Sequence, residues 1–336
     1  MRESFRAADG LCPRQQCIYA MDEALYRQFL PVTTVGMLTL ASTESRTGAS
    51  MGRGLLLMGM LCVITSEAGA QCKVSSASNE GKLLAFYTAP IAFSMATAPT
   101  VTPAGFIRFG AEGEFVPKPD PALEQTGACF TQKSEDTSLS PVFGRPRITI
   151  GIPAGFTIEL AYLPPVTIAR ATPNLLSFAV AQATHWSFGP RRGTTIMLRG
   201  HGTFGTVKGA ITCPGGSLQL TDPASPCYGT EESDDTFHPD MFGGEIAAAI
   251  NPVSRSVALY AGVGANRIDP HFRVGFKPAN ANVDRTEVQL NSPLTRATVF
   301  GGLTAIVREV FDIGIQIYSV PSDATLFRLN GGFRFR

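Results

Sequence analysis

The residue types best suited to catalysis lie together in the run 231–240, which holds five carboxylates and one histidine. Aspartate and histidine side chains within reach of one another can activate a water molecule by general-base catalysis. Carboxylate oxygens could instead hold a divalent cation. Because all of these side chains sit in one loop and no matching Asp-x-Asp motif occurs elsewhere in the chain, the favoured interpretation is a solvated acidic loop without a catalytic role.

Ten-stranded outer-membrane proteases use Asp and Asp/His pairs at the mouth of the barrel, and the run 231–240 resembles those sites in residue type. In such proteases the pairs come from several strands. The resemblance implies a surface hydrolase as a minor alternative, and the chain is otherwise expected not to be an enzyme. His201 lacks a serine in a nucleophile context, and the sequence contains no Walker motif, no HExxH motif and no dinucleotide-binding fingerprint.

A second set of polar side chains alternates with apolar residues along predicted strands. Side chains two residues apart share one face of a strand, so this set is predicted to line the interior of a β-barrel. Charges of both signs in a narrow interior are expected mainly to pair with one another, and the functional alternative is a polar pathway. The set comprises Arg108, Glu112, Glu114, Glu159, Arg199, His201, Glu245, Arg296, Asp312, Gln316, Arg328 and Arg334.

The residues 309–336 show this alternation most clearly, in two runs separated by the turn 321–323. A period of two with one apolar and one polar face predicts β-strands. Large apolar side chains continue to the end of the chain, which is typical of a transmembrane barrel with lipid outside and a polar lumen inside. Phe327, Leu329, Phe333 and Phe335 are therefore predicted to face lipid. The segment 330–336 also resembles the aromatic-ended closing strand of bacterial outer-membrane proteins.

The spacing of about ten predicted strands supports the same fold. The connections 153–155, 189–193, 251–253 and 307–308 are tight, whereas 117–144, 208–240 and 267–293 are long. Short turns on one side and long loops on the other are typical of bacterial outer-membrane barrels. The predicted fold class is all-β, an antiparallel transmembrane β-barrel of about 10 strands (8–12) with long outer loops and short periplasmic turns.

The N-terminal third of the chain divides into three predicted segments ahead of the barrel. Residues 51–70 contain a basic start, an apolar run and a small-x-small cleavage site, as in a secretory signal peptide. Residues 1–50 would precede this signal and are interpreted as a non-native extension or a disordered segment. Residues 71–103 are expected to form an N-terminal segment, either an extra strand or a plug in the lumen, and 104–336 the barrel itself.

Four cysteines remain if the signal peptide is removed after Ala70, namely Cys72, Cys129, Cys213 and Cys227. An even number in an exported protein predicts disulfides, and four cysteines allow three pairings. The pair that brackets a Pro/Gly-rich loop, Cys213–Cys227, is favoured, and this leaves Cys72 with Cys129. Metal binding by these cysteines is the weaker interpretation because the mature chain has no CxxC spacing.

The segments 148–156 and 162–165 resemble hairpins of barrels related to the long-chain fatty-acid and hydrocarbon transporters, which carry an N-terminal plug. The expected function is the passage of small apolar or amphipathic solutes across the outer membrane, with a structural or surface-interaction barrel as the alternative. The expected partners are outer-membrane lipid, the barrel assembly machinery and a small-molecule solute. A net charge of +1 gives no reason to expect nucleic acid, and no cofactor is expected.

Overall fold

The computed structural model describes residues 71–124, 129, 141–187, 193–254 and 256–335. The segments interpreted as an extension (1–50) and a signal peptide (51–70) lie outside these residues. The described part contains one α-helix and fourteen strands. They are β1 (Gln71–Val74), α1 (Asn79–Ile91), β2 (Ile107–Phe115), β3 (Val142–Ile152), β4 (Phe156–Leu163), β5 (Ala171–Ser187), β6 (Gly193–Gly209), β7 (Asp235–His238), β8 (Met241–Ser254), β9 (Val257–Ile268), β10 (His271–Arg273), β11 (Glu287–Leu290), β12 (Leu294–Val307), β13 (Phe311–Val320) and β14 (Ala324–Phe335).

Ten of these strands form a closed antiparallel barrel, so the predicted fold is confirmed. The order around the wall is β2, β3, β4, β5, β6, β8, β9, β12, β13 and β14, and β14 pairs with β2 to complete the circuit. Closure leaves no edge strand in the barrel wall, which is what lipid requires of a spanning sheet.

The alternation of the sequence decides which face of each strand turns outward. On β14, Phe327, Leu329, Phe333 and Phe335 are between 51% and 65% exposed, whereas Arg328 and Asn330 between them are buried. The same pattern holds on β13, where Ile313, Ile315 and Ile317 are exposed and their neighbours are buried. An apolar exterior around a polar interior is the arrangement that a lipid bilayer stabilises.

The connections divide the barrel into two ends, here called the turn end and the loop end. At the turn end the connections are short, as in 153–155 and 308–310, and both the start of β2 and the end of β14 lie there. The loop end carries the long connections. The predicted turn at 251–253 is wrong in position, because β8 continues to Ser254 and β9 begins at Val257. Pro252 is accommodated in the irregular register between Ile250 and Ser254.

Four short strands extend the wall at the loop end. The last residues of β6 pair with β7, which pairs with β10, then β11 and finally β1. We call these four strands the outer sheet. Phe237, Phe272 and Val288 are buried on one face of it, while His238 and His271 lie on the other.

The N-terminal segment runs from the outer sheet through the interior of the barrel to the turn end. Helix α1 begins after Ser78, whose side chain accepts a hydrogen bond from the Gly81 amide, and ends at Ile91, one residue after Pro90. An extended stretch then leads to β2. No helix in the described part of the chain is long and apolar enough to cross a membrane.

Candidate functional site

The chain from the last residue of α1 into the extended stretch, residues 91–95, is held by its backbone carbonyl groups. Five successive carbonyl oxygens accept hydrogen bonds from side chains of the barrel wall. Arg145 donates to Ile91 (2.9 Å) and Ala92 (2.7 Å), Arg328 to Ala92 (3.2 Å), Arg199 to Phe93 (2.6 Å), Arg147 to Ser94 (2.7 Å), and Gln316 to Met95 (2.9 Å). We call residues 91–95 the plug segment, since donors from β3, β6, β13 and β14 surround them.

The ring of Phe93 gives the plug segment a second attachment. The guanidinium carbons of Arg147, Arg145 and Arg199 lie 4.1, 4.8 and 5.0 Å from the ring centroid. Phe93 itself is fully buried. Cations over an aromatic face are attracted by its quadrupole, most strongly where water is excluded. The three arginines therefore bind both the backbone and the one aromatic side chain of this segment.

The arginines that hold the plug segment are neutralised by carboxylates of the wall. Glu112 accepts hydrogen bonds from both Arg145 and Arg147 (2.7 Å to the latter), and Glu159 accepts from Arg147 (3.2 Å) and Arg199 (2.8 Å). All of these side chains are buried or nearly so. Buried charges persist only when they are paired and hydrogen-bonded, because desolvation is costly.

Three further pairs extend this network. Glu245 accepts from Arg199 (3.0 Å) and also from the amide of Met95 (3.2 Å), which joins it to the segment that crosses the lumen. Arg328 pairs with Glu114, and Arg108 binds Asp312 with its Nη2 2.6 Å from Oδ1. The polar interior is therefore occupied by ion pairs and by the plug segment.

The structure places the sequence-predicted lumen residues on the inner face of the wall. Arg108, Glu112, Glu114, Glu159, Arg199, His201, Glu245, Asp312 and Arg328 are buried there, and Gln316 is buried with them. Arg334 lies near the turn end, 3.9 Å from Asp312, and Arg296 pairs with Asp323 near the loop end (2.9 Å). Most of these groups meet in one network.

Sequence reasoning missed Arg145 and Arg147, two central members of the network. Residues 117–144 were predicted as a connection, whereas β3 begins within them, at Val142. Phe143, Arg145, Arg147 and Thr149 share one face by their spacing of two. That spacing was the signal that could have extended the strand, and Pro146 between the arginines obscured it, since proline is rare in paired strands.

The acidic run 231–240 does not converge on a reactive centre. Asp235 is fully buried and accepts hydrogen bonds from the amides of Ile211, Thr212 and Gly275 and from the hydroxyls of Thr212 and Ser233. It fastens three loop segments together, so its predicted solvation is wrong. Asp234 does remain exposed and pairs with Lys208 (3.2 Å). Within the described ranges, no group of three or more His, Cys, Asp or Glu residues could hold a metal ion.

Two disulfides fasten the loop end. Cys213 is joined to Cys227 within the connection between β6 and β7, and Cys72 of β1 is joined to Cys129. Beside the second bond, the Cys129 amide donates to the Glu80 carboxylate of α1 (3.2 Å). The start of the N-terminal segment is thus covalently attached to the connection between β2 and β3.

An apolar cavity of about 740 Å³ lies beside α1 at the loop end. The helix supplies Leu83, Leu84, Tyr87 and Ile91 to one wall, and the outer sheet supplies Phe237, Phe272 and Val288 to another. Among the described residues that line it, only Glu80 and Lys118 carry charge. We call this cavity the outer pocket.

The outer pocket reaches the outside of the barrel wall. Its lining includes inward residues such as Phe143 and Leu163, and also Phe115 and Val142, which are 59% and 53% exposed on the outer face. The pairing of β3 with β4 ends at Ile148 and Leu160, although β3 extends to Val142 and β4 to Leu163. We call this unpaired stretch the β3–β4 seam. Pro146 lies in it and has no amide proton to donate.

A closed ten-stranded barrel with an apolar exterior, an ion-paired interior and segregated loops defines the chain as a β-barrel protein of the bacterial outer-membrane type. No family model and no curated protein matches the chain.

Solved structures that match part of the chain include Ail, the attachment invasion locus protein of Yersinia pestis. It is 14% identical with a TM-score of 0.28, and the match covers 69% of this chain and 100% of Ail. A variant of the Rh. blastica porin is 9% identical with a TM-score of 0.18, over 69% of this chain and 98% of the porin. At these TM-scores the likeness carries no argument about function.

Proposed function

We propose that this barrel takes up a small apolar or amphipathic solute at the cell surface and passes it into the outer membrane. The observation that carries the proposal is the outer pocket, because its lining is almost entirely apolar at the end of the barrel where the long loops lie. Its volume lies in the range of about 300–1,000 Å³ that is usual for small-molecule sites.

The charges at the outer pocket favour a solute with one polar end. Glu80 is buried and already accepts a hydrogen bond from the Cys129 amide, whereas Lys118 is exposed. A long apolar tail would lie against Leu84, Tyr87 and Phe143, and a polar head would lie near Lys118. Apolar pockets with a few placed polar groups orient ligands in this way.

The route from the outer pocket leads sideways in this proposal. The way down the lumen is occupied by the plug segment and its arginines. The β3–β4 seam lies beside the pocket and lacks ladder hydrogen bonds beyond Ile148 and Leu160. An apolar solute that leaves through the outer part of the seam, past Val142, enters lipid, which the hydrophobic effect favours.

Photo-cross-linking tests this proposal. The protein in lipid nanodiscs is labelled with an uncharged long-chain alcohol that carries a diazirine, and the labelled peptides are mapped by mass spectrometry. We expect labelling within α1 and at the outer end of β3, with competition by the unlabelled alcohol. Labelling confined to the lipid-facing belt of β13 and β14 would contradict the proposal.

Two glycine variants provide a matched pair. Gly113 lines the outer pocket, and a Cβ at this position would meet no atom within 4 Å. The side chain of Gly113→Phe can therefore fill the part of the pocket beside β2 without a backbone clash. A Cβ at the outward-facing Gly200 of β6 would meet only the Gly243 oxygen, at 4.0 Å. Gly113→Phe should reduce the labelling of α1 several-fold, and Gly200→Phe should leave it unchanged.

A surface-interaction barrel is the second candidate, and the outer sheet favours it. This sheet presents Lys73, His271, Arg273 and Gln289 on a single face, away from the pocket. A polar sheet fixed by disulfides is a rigid surface for a partner. Unlabelled α1 in the cross-linking experiment, in a protein that is otherwise folded, would favour this candidate.

A further inference from the structure

The histidine pair on the outer sheet, His238 and His271, lies directly behind one wall of the outer pocket. We infer that this pair makes solute binding acid-sensitive, so that double protonation loosens the wall and releases the solute. The inference rests on the proposed function, since it concerns the regulation of the same pocket.

The two imidazole rings form a cross-strand pair. Their centroids are 4.3 Å apart and the ring planes differ by 10°. The β7–β10 ladder that contains them has three residue pairs, and His238 opposite His271 is one of them. Residues directly opposite in an antiparallel ladder interact strongly, and like charges there are destabilising. If both histidines were protonated, their mutual repulsion would therefore destabilise one of the three residue pairs that hold β7 to β10.

The same ladder holds the wall of the pocket. Phe237 is the chain neighbour of His238 in β7, and Phe272 is the chain neighbour of His271 in β10. Adjacent residues of a strand point to opposite faces, so both phenylalanines lie on the face of the sheet away from the histidines. They pair with one another, and Phe272 also pairs with Val288. All three line the outer pocket. Separation of β7 from β10 would remove this apolar surface from the solute.

Charged groups of both signs surround the pair. His271 has the Asp240 carboxylate 3.9 Å from its Nδ1 and the Glu287 carboxylate 4.0 Å from its Nε2. Burial, His271 and Arg273 lower the pKa of His238, against the opposite effects of Asp240 and Glu287. On the flanking strands the same face carries Lys73 of β1 and Lys208 of β6, the latter paired with Asp234.

The sign of the pH dependence follows from this lowered pKa. A histidine whose pKa is lower in the closed wall than in the opened wall binds more protons when the wall opens. The closed wall is therefore most stable above the ordinary histidine pKa of about 6.5 and loses stability as the pH falls below it. Acidification should weaken solute binding, whereas neutral pH should support it.

The test compares labelling of α1 by the uncharged diazirine alcohol at about pH 7.5 and about pH 5, since the probe itself does not titrate. In the unsubstituted protein we expect the labelling to fall by about tenfold between these two pH values. His238→Gln and His271→Gln should each reduce the fall to less than about twofold. The matched control is His185→Gln at the turn end, where His185 contacts Thr195 (3.0 Å) and lies far along the wall from the pocket. It should retain the full effect.

Hydrogen exchange in the absence of solute separates this inference from the proposed function. The Thr236 and Arg273 amides point at one another across the β7–β10 ladder. Corrected for intrinsic exchange, they should lose protection between about pH 7.5 and about pH 5 in the unsubstituted protein but not in His238→Gln. Protection that does not change with pH overturns the inference, as does an acid-induced loss that persists in both histidine variants. Absence of labelling at neutral pH would instead overturn the proposed function.

Discussion

At the scale of single residues, the ion pair of Arg108 with Asp312 depends on two glycines that have no side chains to obstruct it. A Cβ at Gly332 would lie 2.6 Å from the Arg108 guanidinium carbon, and one at Gly110 would lie 2.5 Å from its Nη1. The guanidinium therefore lies flat against the backbone of β2 and β14 while it reaches Asp312 on β13. Small residues here are a requirement of close approach.

Removal of one partner of this buried pair should lower the free energy of unfolding far more than removal of both partners. Arg108→Leu leaves the Asp312 carboxylate buried, and we expect a loss of about 3–5 kcal/mol in the free energy of unfolding. The double variant Arg108→Leu, Asp312→Leu should recover much of that loss. The difference is measured by urea unfolding, with heat-modifiable migration on a gel as the readout of the folded fraction.

The exposed pair of Lys208 with Asp234 supplies the control. Its side chains are 49% and 71% exposed, and such pairs contribute about 0–1 kcal/mol. Lys208→Gln should therefore be nearly silent in the same assay. Equal effects of Lys208→Gln and Arg108→Leu would show that burial of the Arg108 pair has no energetic consequence.

At the scale of elements, the plug segment and the wall stabilise one another. The carbonyls of the plug segment accept hydrogen bonds from Arg145, Arg147, Arg199 and Arg328, and each of these arginines also pairs with a carboxylate of the wall. A barrel emptied of this segment would expose those charges to water within the lumen. The element therefore closes the lumen and also accepts hydrogen bonds from the arginines that line it.

Deletion of residues 79–98 should accordingly convert the barrel into an ion channel. We expect little conductance from the unmodified protein in planar lipid bilayers and discrete conductance steps from the deletion variant, because water and ions replace the plug segment. Deletion of residues 71–74 alone is the control, since it removes β1 and leaves the lumen filled. Equal conductance of all three proteins would contradict this role.

Strand elements were more readily predicted than the segment in the lumen. The ten wall strands have one lipid face and one polar face, so each carries a period of two. Helix α1 is buried on almost every side, with Leu83, Leu84, Phe86 and Ile91 all under 9% exposed. A helix that is apolar all round has no amphipathic period. For this reason the sequence did not decide whether residues 71–103 form an extra strand or a plug in the lumen.

The outer sheet and the outer pocket were beyond prediction for a different reason. Its strands β7, β10 and β11 have only three or four residues each, too few for alternation to be recognised. They pair across segments that were predicted as loops. The pocket is formed by residues from α1, the wall and this sheet, so only the assembled chain contains it.

At the scale of the whole molecule, the two ends of the barrel differ in the length of their connections and in the structures attached to them. The outer sheet, both disulfides and the outer pocket belong to the loop end, whereas the turn end has connections such as 308–310. In outer-membrane barrels the short turns face the periplasm.

Epitope tags should therefore report opposite sides of the membrane. A tag inserted after the exposed Thr221 should be detected by antibody on intact cells. A tag inserted after Arg308 should be detected only after the outer membrane is permeabilised. Detection of the Arg308 tag on intact cells, with the Thr221 tag hidden, would require the reverse orientation.

The path of the N-terminal segment also constrains the order in which the molecule can be built. Residues 71–74 belong to the outer sheet at the loop end, yet the chain reaches β2 at the turn end only after it has crossed the lumen. A wall already sealed between β14 and β2 would have to be threaded by this segment together with its sheet. We therefore expect the N-terminal segment to be in place before β14 pairs with β2, so that the barrel wall closes around this segment.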